Sequence, residues 1–364
     1  MRILVVATNI KIPDTHGGST HVGELFRNLS NHGPTHLLAA DGSHGENITG
    51  IAKILYPPSP FKHLVSLGYF PKALAAARAF KPDVIYERGS SYGLGAMLSQ
   101  ALDIPMLCMV LDEWFSPLSL LKAKRIIATN TELVPAWARD KAVKVSWGAN
   151  ADLFHPNHNK AEARQRWGID PDAYVIGYSG SFQKWHGLET LVEALDRKPG
   201  RRPHLLLVGD GRQRSHIEER AKSLGLLDSI TITGRIAYEE VAPALAASDI
   251  CGAPFNPDLH NLSKKRGFAL DPLKVFEYLA LGKPTITVRS QNIQDLFEHG
   301  THLRMGKAGD VAELAENIEW MMNHPEDAKW SAALGRDIVL KSHTWAAHAS
   351  HLASLFEEMM AEAK

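Results

Sequence analysis

The residues of this chain whose types and spacing point most clearly to chemistry lie at positions 271–284. Asp271 can cap a helix and Pro272 suits its first position, so the segment predicts a helix start with free N–H groups. Such a helix start binds phosphate well, and Lys274 adds a mobile positive charge there. Glu277, placed among apolar neighbours, is an acceptor suited to sugar hydroxyls. The alternative interpretation is a well-capped amphipathic helix with no ligand.

Two adjacent glycines mark a second candidate site near the start of the chain. Gly17 and Gly18 follow the first predicted strand and precede a helix that Ser19 can cap. Adjacent glycines allow the backbone to approach a ligand closely, although a simple strand-to-helix turn is the alternative. The spacing is not Gly-x-Gly-x-x-Gly, so a nicotinamide or flavin site is poorly supported.

The loop at positions 180–187 follows the first predicted strand of the second half, a place where α/β sheets bind ligands. Lys184 and His186 are its cationic side chains. A histidine beside phosphate binds best when it is protonated, below a pKa of about 6.5. In the alternative interpretation, Trp185 and His186 only pack at a corner of the loop.

The next strand ends of the second half also carry glycines, at positions 209–211 and 234. After the latter, Arg235 either stacks on a base, reaches a phosphate or is an ordinary surface side chain. Further along, the predicted loop 254–270 has no structure of its own and contains three basic residues at 264–266. A loop of this length either acts as a mobile lid over a ligand or is simply solvated.

Polar residues at strand ends of the first half form a third candidate site. Asp112 and Glu113 end one predicted strand, and Arg88 follows another. Side chains at the carboxyl ends of parallel strands can contact a bound substrate. An acidic turn that faces solvent is the alternative interpretation of the two carboxylates.

The elements that must position these residues alternate between strand and helix in both halves, a pattern typical of parallel sheets covered by helices. The predicted strands are 2–7, 35–40, 83–87, 105–111, 125–129, 142–147, 174–180, 204–208, 230–233, 249–253 and 284–288. The predicted helices are 19–32, 71–80, 91–102, 131–138, 187–197, 212–224, 238–247, 272–281 and 345–362.

The chain is therefore predicted to form two α/β domains, 1–160 and 161–341, followed by a helical segment, 342–364. A length of 364 residues is typical of two domains that each bury a core. Residues 153–172 read as the linker. The last helix is amphipathic, with one face formed by Trp345, Leu352, Leu355 and Met359.

Composition argues against several classes of function. The formal net charge is zero, so the whole molecule is not built to hold nucleic acid electrostatically. The two cysteines, Cys108 and Cys251, lie far apart in apolar runs and are expected to be buried free thiols. The histidines form no convincing ligand set and no Asp-x-Asp motif stands out, so we expect neither metal nor cofactor. The histidines at positions 343, 348 and 351 are expected at the surface.

The predicted location is cytoplasmic. No signal peptide precedes the first strand, and no apolar run approaches the length of a transmembrane helix. Residues 61–70 combine apolar and basic side chains, which gives a secondary hypothesis of peripheral contact with the inner face of the membrane. Gly68 and Pro71 are expected to break this segment, and internal packing is the alternative explanation.

Five segments resemble, in this order along the chain, those of family 4 glycosyltransferases, a retaining family with the GT-B fold. They are 17–18, 180–187, 206–211, 232–236 and 271–284, and together they span about three quarters of the chain. The resemblance implies an α/β fold with two Rossmann-like domains facing a cleft, and a C-terminal helix that crosses back to pack on the first domain.

The resemblance also assigns roles to individual residues. The residues expected to bind the donor are Gly17, Gly18, Ser181, Lys184, His186, Gly209, Arg235, Ile236, Leu273, Lys274 and Glu277. Glu277 is placed on the ribose hydroxyls. Asp112, His21 and Lys274 are expected to be catalytic, with His21 facing the cleft. Arg88 and Glu113 are expected to contact the acceptor.

In the predicted donor site, three positions depart from the family pattern. Ser181 stands in place of an arginine, His186 in place of a lysine, and Ala269 in place of the first of two glutamates. Lys184, Lys274 or backbone amides can supply the phosphate contacts. Backbone amides next to Ala269, or a neighbouring aspartate, can hold the sugar.

The predicted function is transfer of a sugar from a nucleotide diphosphate donor, a UDP-sugar, to a saccharide or lipid-linked acceptor in glycan or polysaccharide synthesis. Departure of the diphosphate requires charge stabilisation, which a lysine and helix amides supply without metal. Nucleic acid is not expected as a partner. Two alternatives stay open: a catalytically silent GT-B protein that binds a nucleotide sugar, and a GT-B epimerase.

Overall fold

The computed structural model describes residues 1–12, 14, 17–41, 53–56, 65–89, 92–197, 202–266 and 273–362. The chain forms two compact units. The first unit comprises Met1–Trp147 together with Trp345–Lys364, and the second comprises Gly148–Thr344.

Seven parallel strands form the sheet of the first unit. The strands are β1 (Ile3–Ile12), β2 (Thr35–Asp41), β3 (Lys53–Tyr56), β4 (Val84–Arg88), β5 (Met106–Val110), β6 (Arg125–Ala128) and β7 (Ala142–Lys144). The helices between them are α1 (Gly17–Leu29), α2 (Val65–Phe80), α3 (Leu94–Leu102) and α4 (Pro117–Lys122). The strand order is β3-β2-β1-β4-β5-β6-β7, and each neighbouring pair is parallel.

Six parallel strands form the sheet of the second unit. The strands are β8 (Val175–Ser179), β9 (His204–Val208), β10 (Ile230–Gly234), β11 (Ile250–Ala253), β12 (Thr285–Val288) and β13 (Arg304–Gly306). The helices are α5 (Lys160–Arg166), α6 (Leu188–Asp196), α7 (Arg214–Ser223), α8 (Val241–Leu245), α9 (Asn261–Arg266), α10 (Leu273–Ala280), α11 (Gln291–Gln294), α12 (Val311–Asn323) and α13 (Pro325–Ser342). The strand order is β10-β9-β8-β11-β12-β13.

The sheet of the second unit is buried on both faces. Along β9, Leu205 and Leu207 lie in one core cluster, whereas Leu206 and Val208 lie in another. Successive side chains of a strand point to opposite faces, so the two clusters are the two sides of the sheet. This explains why the strand is a continuous run of apolar residues, as parallel strands covered by helices require.

The last helix, α14 (Trp345–Ala361), packs on the first unit against α1. Leu352, Leu355 and Met359 lie in the same core cluster as Leu25 of α1. The amphipathic face predicted from the sequence is therefore confirmed, because these side chains recur at the spacing of one helix face. The predicted fold class, two successive α/β domains, is also confirmed.

Several predicted elements differ from the observed ones. Residues 131–138 form two short 3-10 turns rather than a helix, and the predicted strand 142–147 ends at Lys144. The expected break at Gly68 and Pro71 is wrong, because α2 runs through both positions. Ala73 and Ala77 of α2 are fully buried, so tertiary packing outweighs the cost of the proline.

Some elements were missing from the prediction altogether. The predicted loop 254–270 contains a 3-10 turn, Pro257–Leu259, and helix α9. Strand β13 is only three residues long, too short for its side-chain pattern to show. Strand β3 and the long helices α12 and α13 were likewise not predicted.

The change of unit after Trp147 lies earlier in the chain than the predicted boundary after residue 160. Ala149 donates its backbone N–H to the carbonyl of His343, at 2.9 Å, and Phe154 is fully buried in the core of the second unit. The predicted linker therefore begins with residues that pack as part of the second unit. At the other end, the predicted boundary at 341/342 falls close to the observed change after Thr344.

No helix within the described ranges is long and apolar enough to cross a membrane. The first four residues of the segment 61–70, for which membrane contact was predicted, lie outside the described residues.

Candidate functional site

The candidate site of the second unit lies where the strand order reverses. Strand β8 has β9 on one side and β11 on the other, so the connections that leave β8 and β11 run to opposite sides of the sheet. Gly180 directly follows β8, and Phe255 lies two residues beyond the end of β11. In open α/β sheets, ligands bind at the carboxyl ends of strands at this point of reversal.

Lys274, in the first turn of α10, reaches this point of the sheet. Its Nζ donates a hydrogen bond of 2.9 Å to the hydroxyl of Tyr178 in β8. The ammonium group also lies 4.3 Å from the ring centre of Tyr178 and 5.0 Å from that of Phe255. A Cβ placed on Gly180 would be 2.9 Å from this Nζ, so a side chain there would displace the ammonium group, and the φ of +132° at Gly180 also favours glycine.

The environment of Lys274 changes its acid–base behaviour. Part of the side chain is exposed, but its ammonium group is enclosed by the two aromatic rings. Burial lowers the pKa of Lys274 to about 7, and the nearby Glu277 carboxylate opposes this shift. The structure thus corrects one expectation: Lys274 is held in place by Tyr178 rather than being a mobile charge.

Glu277 lies one turn further along α10 and is 7% exposed. Its Oε1 accepts a hydrogen bond of 2.9 Å from the hydroxyl of Tyr238. A buried carboxylate is costly unless it is hydrogen-bonded. Its burial confirms that Glu277 is not simply a solvated side chain.

The loop after β8 is built by polar contacts around the carbonyl of Ser181. This oxygen accepts a hydrogen bond of 3.0 Å from the Tyr178 hydroxyl and another from Nδ1 of His186. Nδ1 of His186 also lies 2.7 Å from the Tyr178 hydroxyl. Lys184 in the same loop is exposed, and the ring of Trp185 stacks on Phe255 at 5.7 Å.

The expectation of a protonated His186 beside phosphate is not met. His186 is buried, and desolvation, followed by the charge of Lys274, holds its pKa well below the usual value. A neutral imidazole cannot supply the positive charge that the predicted contact needs. The alternative interpretation, in which His186 packs at a corner of the loop, describes the structure better.

The other donor-binding candidates of the second unit differ in their contacts and in their exposure. A Cβ placed on Gly209 would lie 2.1 Å from the carbonyl oxygen of Gly180, so the loops after β8 and β9 touch. Ile236 packs against the core, whereas Arg235 is exposed and Leu273 is partly exposed. The predicted capping residue Asp271, with the neighbouring positions 267–272 that include Ala269, lies outside the described residues.

The first unit has a corresponding group of candidates at its own point of reversal. Strand β1 lies between β2 and β4, so the loops after β1 and β4 meet there. Gly17 and Gly18 open helix α1, and Arg88 ends β4. A Cβ placed on Gly18 would lie 3.6 Å from Nη2 of Arg88. The structure thus brings Gly18 and Arg88 together.

Asp112 shares its electrostatic environment with Arg88. Desolvation raises the pKa of Asp112, while the backbone N–H of Trp114, at 2.8 Å from Oδ1, and the charge of Arg88 act in the opposite direction. Burial lowers the pKa of Arg88. Glu113 is exposed. Asp112 therefore lies within electrostatic range of Arg88, and Glu113 is the more exposed of the two carboxylates.

His21 differs most from its predicted role. The side chain is completely buried and lies against the rings of Trp147, Trp345 and His348, with centres 4.7, 5.3 and 6.4 Å away. Within the described part of the chain, neither ring nitrogen has a hydrogen-bond partner. Burial, with the charges of Arg88 and His348, holds its pKa well below the usual value. The expectation that His21 faces a cleft is therefore not met.

Two histidines expected at the surface are also buried. His343 stacks on Phe276 of α10 with ring centres 5.0 Å apart. Nδ1 of His348 lies 2.9 Å from the carbonyl oxygen of Ser146. Because a carbonyl oxygen only accepts, Nδ1 carries the proton and donates this hydrogen bond. His351 is exposed, as expected. Cys108 and Cys251 are buried and free, also as expected.

Sequence reasoning missed the aromatic residues that surround Lys274 and Glu277. Tyr178, Phe255 and Tyr238 were not candidates, although each contacts one of the two charged side chains. A signal existed for Tyr178, because a tyrosine inside an apolar strand needs a partner for its hydroxyl. Its partners Ser181 and His186 are close in sequence, but Lys274 lies 96 positions away, so no local pattern could identify that contact.

Chemically, the site of the second unit can bind an anion at Lys274 and hydroxyl groups at Glu277. Among the described residues, no group of three or more His, Cys, Asp or Glu side chains could hold a metal ion. The absence of a metal from the reaction remains a prediction.

Comparison with known proteins adds independent information. Residues 173–324 match the sequence profile of the family described as glycosyl transferases group 1. The alpha-D-kanosaminyltransferase of Streptomyces kanamyceticus is 24% identical over 203 residues, which are 55% of this chain and 49% of that protein. A GDP-mannose-dependent monoacylated alpha-(1-6)-phosphatidylinositol monomannoside mannosyltransferase of Corynebacterium glutamicum is 24% identical over 218 residues, 58% of this chain and 54% of the relative.

The chain spans about half the length of these curated relatives. Among solved structures, Anabaena HepE in complex with UDP and glucose superposes with a TM-score of 0.79 at 18% identity, covering 98% of this chain and 100% of HepE. This likeness concerns the fold, which extends over both units. With a profile match over residues 173–324 and two Rossmann-like units along its length, this protein resembles the GT-B glycosyltransferases of family 4.

Proposed function

We propose that this protein is a retaining glycosyltransferase that moves a sugar from a nucleotide diphosphate donor, a UDP-sugar, to a saccharide or lipid-linked acceptor. One observation carries the proposal. The ammonium group of Lys274 lies at the loop after β8, against Gly180, with the Glu277 carboxylate one helical turn away. An anion site and a hydroxyl acceptor at this spacing suit a diphosphate and the ribose next to it.

The proposed chemistry needs charge stabilisation more than proton transfer. As the bond between the sugar and the diphosphate breaks, negative charge grows on the leaving phosphate. A positive group fixed in place before the reaction stabilises this charge without reorganisation. Lys274, held by Tyr178, is such a group once it is protonated. No metal is needed in this scheme.

The residues of the first unit are proposed to act on the acceptor side. Arg88 and Asp112 lie near one another at the carboxyl ends of β4 and β5. Desolvation raises the pKa of Asp112, which makes this carboxylate the better candidate for contact with the acceptor hydroxyl. The exposed Glu113 is proposed to contact the acceptor more weakly.

The identity of the nucleotide in the donor needs a direct test. HepE was crystallised with UDP and glucose, whereas the relative from Corynebacterium glutamicum is described as GDP-mannose-dependent. The base is proposed to lie against the backbone at Arg235 and Ile236, which follow β10.

The test is calorimetric titration with UDP-glucose, UDP-galactose, GDP-mannose and ADP-glucose. The sugars of one nucleotide are expected to bind. Glu277→Ala is expected to weaken their binding at least about tenfold, because a buried hydrogen bond to the ribose is lost. The matched control is Glu219→Ala, which removes an exposed glutamate from α7. Equal affinity in Glu277→Ala and Glu219→Ala would place the donor elsewhere.

Turnover is measured separately. The preferred donor is incubated with saccharide and lipid-linked acceptors, nucleotide release is followed, and the anomeric configuration of the product is read by NMR. Retention of configuration is expected, with activity that persists in a metal chelator. Donor binding with no transfer to any acceptor would favour the alternative of a catalytically silent sugar-nucleotide-binding protein.

A further inference from the structure

The polar groups beside Lys274 form a hydrogen-bond network that holds its ammonium group. The Tyr178 hydroxyl accepts from Lys274 at 2.9 Å and donates to the Ser181 carbonyl at 3.0 Å. The same carbonyl also contacts Nδ1 of His186, which lies 2.7 Å from the Tyr178 hydroxyl. Tyr178 is completely buried. Its hydroxyl is therefore fixed by the loop on one side and presents a lone pair to Lys274 on the other.

We propose that Tyr178 is a positioning residue that holds the Lys274 ammonium group, packed against the rings of Tyr178 and Phe255, at the diphosphate position, and that binding of the anion there is coupled to uptake of a proton by Lys274. The inference rests on the proposed function, because it takes the bound anion to be the diphosphate of a nucleotide sugar. It concerns Tyr178, which was not a predicted site residue, and a proton that Lys274 takes up from the buffer when the donor binds.

The geometry explains why Tyr178 is suited to this role. The flexible lysine side chain has many conformations in water, and fixing it costs conformational entropy on ligand binding. Contacts with the Tyr178 hydroxyl and both aromatic rings fix it beforehand, and the lack of a side chain at Gly180 leaves room for it. The diphosphate then meets an already positioned group.

The charges that face Lys274 determine the direction of the proton movement. Glu277 on its own helix favours the charged form, but burial prevails and lowers the pKa to about 7. From the other elements, Tyr178 and His186 are both uncharged near neutral pH, since burial raises the pKa of Tyr178 and lowers that of His186. His260, near His186, also has a lowered pKa.

Before the anion binds, a lysine with a pKa of about 7 is about half protonated at pH 7. The two negative charges of a bound diphosphate favour the ammonium form strongly, so its pKa rises on binding. One proton then moves from the buffer to Nζ in the fraction of molecules that lacked it. The expected uptake is about half a proton at pH 7 and approaches one proton at pH 8.

The experiment is calorimetric titration with UDP-glucose and GDP-mannose at pH 6, 7 and 8, each in two buffers of different ionisation enthalpy. These probes are diphosphate diesters without a titrating phosphate in this range, so any proton taken up belongs to the protein. Lys274→Arg keeps the charge permanently and is expected to abolish the proton uptake. Uptake that is absent in the wild type, or that persists in Lys274→Arg, would overturn the inference.

Tyr178→Phe tests the positioning role directly. It keeps the ring but removes the hydroxyl, and the expected result is about tenfold weaker donor binding with an altered pH dependence, since a hydrogen bond to a charged group is lost. The matched control is Tyr278→Phe. Tyr278 is equally buried, and its hydroxyl accepts from the backbone N–H of Ser179 at 2.7 Å rather than from Lys274.

Tyr278→Phe is expected to lower the thermal unfolding midpoint but to leave the proton uptake unchanged. If Tyr178→Phe binds donor with the affinity and uptake of the wild type, Tyr178 has only a structural role. The outcomes also separate the two proposals. Failure of the wild type to bind either probe contradicts the proposed function itself, whereas binding without proton uptake contradicts only the present inference.

Discussion

Protonation of His348 is expected to destabilise the protein between pH 7 and pH 5. His348 is buried in α14 beside Trp345, and Nδ1 donates its proton to the Ser146 carbonyl. Nε2 has no hydrogen-bond partner among the described residues. A second proton would therefore place an unpaired positive charge in the packed face between α14 and the rest of the first unit.

The magnitude follows from the pKa. Burial, partly opposed by the hydrogen bond to Ser146, lowers the pKa of His348 from 6.5 to about 4. Because the folded state prefers the neutral ring, this contribution to stability is complete above pH 6.5 and is lost as the pH falls towards 4. A pKa of 6.5 in the unfolded state and of about 4 in the folded state lowers the free energy of unfolding by about 2 kcal/mol at pH 5 relative to pH 7.

The assay is urea unfolding at pH 7 and pH 5 for the wild type, His348→Leu and His351→Leu. His348→Leu also loses the hydrogen bond to Ser146, but this loss is present at both pH values and cancels in the difference. The control, His351→Leu, removes an exposed histidine from the same helix; because the charge of His351 also lowers the pKa of His348, this variant is expected to lose slightly less stability than the wild type on acidification. We expect the wild type and the control to lose about 2 kcal/mol more than His348→Leu on acidification.

His21 contributes in the same direction in all three proteins, since its pKa is also lowered well below the usual value. Some dependence on pH therefore persists in His348→Leu. If acidification destabilises His348→Leu as much as the wild type, His348 is not buried in its neutral form, and the packing described for α14 is incorrect.

Two further predictions concern buried groups whose environment is equally defined. Burial raises the pKa of Glu87 to about 7, so the folded state prefers the protonated carboxyl group. The stability that this preference contributes is complete below pH 4.5 and is lost as the pH rises through 7. Glu87→Gln is expected to stabilise the protein by up to about 3 kcal/mol at pH 8 and by less than about 1 kcal/mol at pH 5, measured by urea unfolding; an equal effect at both values would contradict the raised pKa. Gly187 and Gly168 both have positive φ, 72° and 63°. Gly168→Ala, which meets no neighbour within 4 Å, is expected to cost about 1 kcal/mol from strain alone. A Cβ on Gly187 would lie 1.7 Å from the Pro254 carbonyl oxygen, so Gly187→Ala is expected to cost at least about 2 kcal/mol more in the same assay. Equal losses in the two variants would show that the turn at Gly187 relaxes freely.

The boundaries of the strands were largely predictable because they depend on local sequence. β9 was predicted at its observed limits, 204–208, since a run of apolar residues between polar ends is typical of a buried parallel strand. Helix α10 was predicted within a residue or so at each end, from its apolar face and the glycine that follows it. Short elements such as β13 were missed, because three residues carry too little pattern.

The candidate site was predicted in part. The importance of Lys274 and Glu277 followed from their spacing on one helix, which the sequence contains. The surroundings of His186 and His21 did not follow, because burial of a loop or helix residue depends on segments distant in sequence. His21 is enclosed by Trp345 and His348, more than 300 positions later in the chain.

The sequence by itself determined that this protein has two successive α/β units, a C-terminal amphipathic helix and a charged pair on α10. These properties depend on the periodicity of apolar residues and on turn residues within short windows. Only the tertiary structure decided that Lys274 is held by Tyr178, that His348 is buried while His351 is exposed, and that the second unit begins after Trp147. Each of these depends on which distant surfaces pack together, and packing determines the desolvation and hydrogen bonding that set the charge of a side chain.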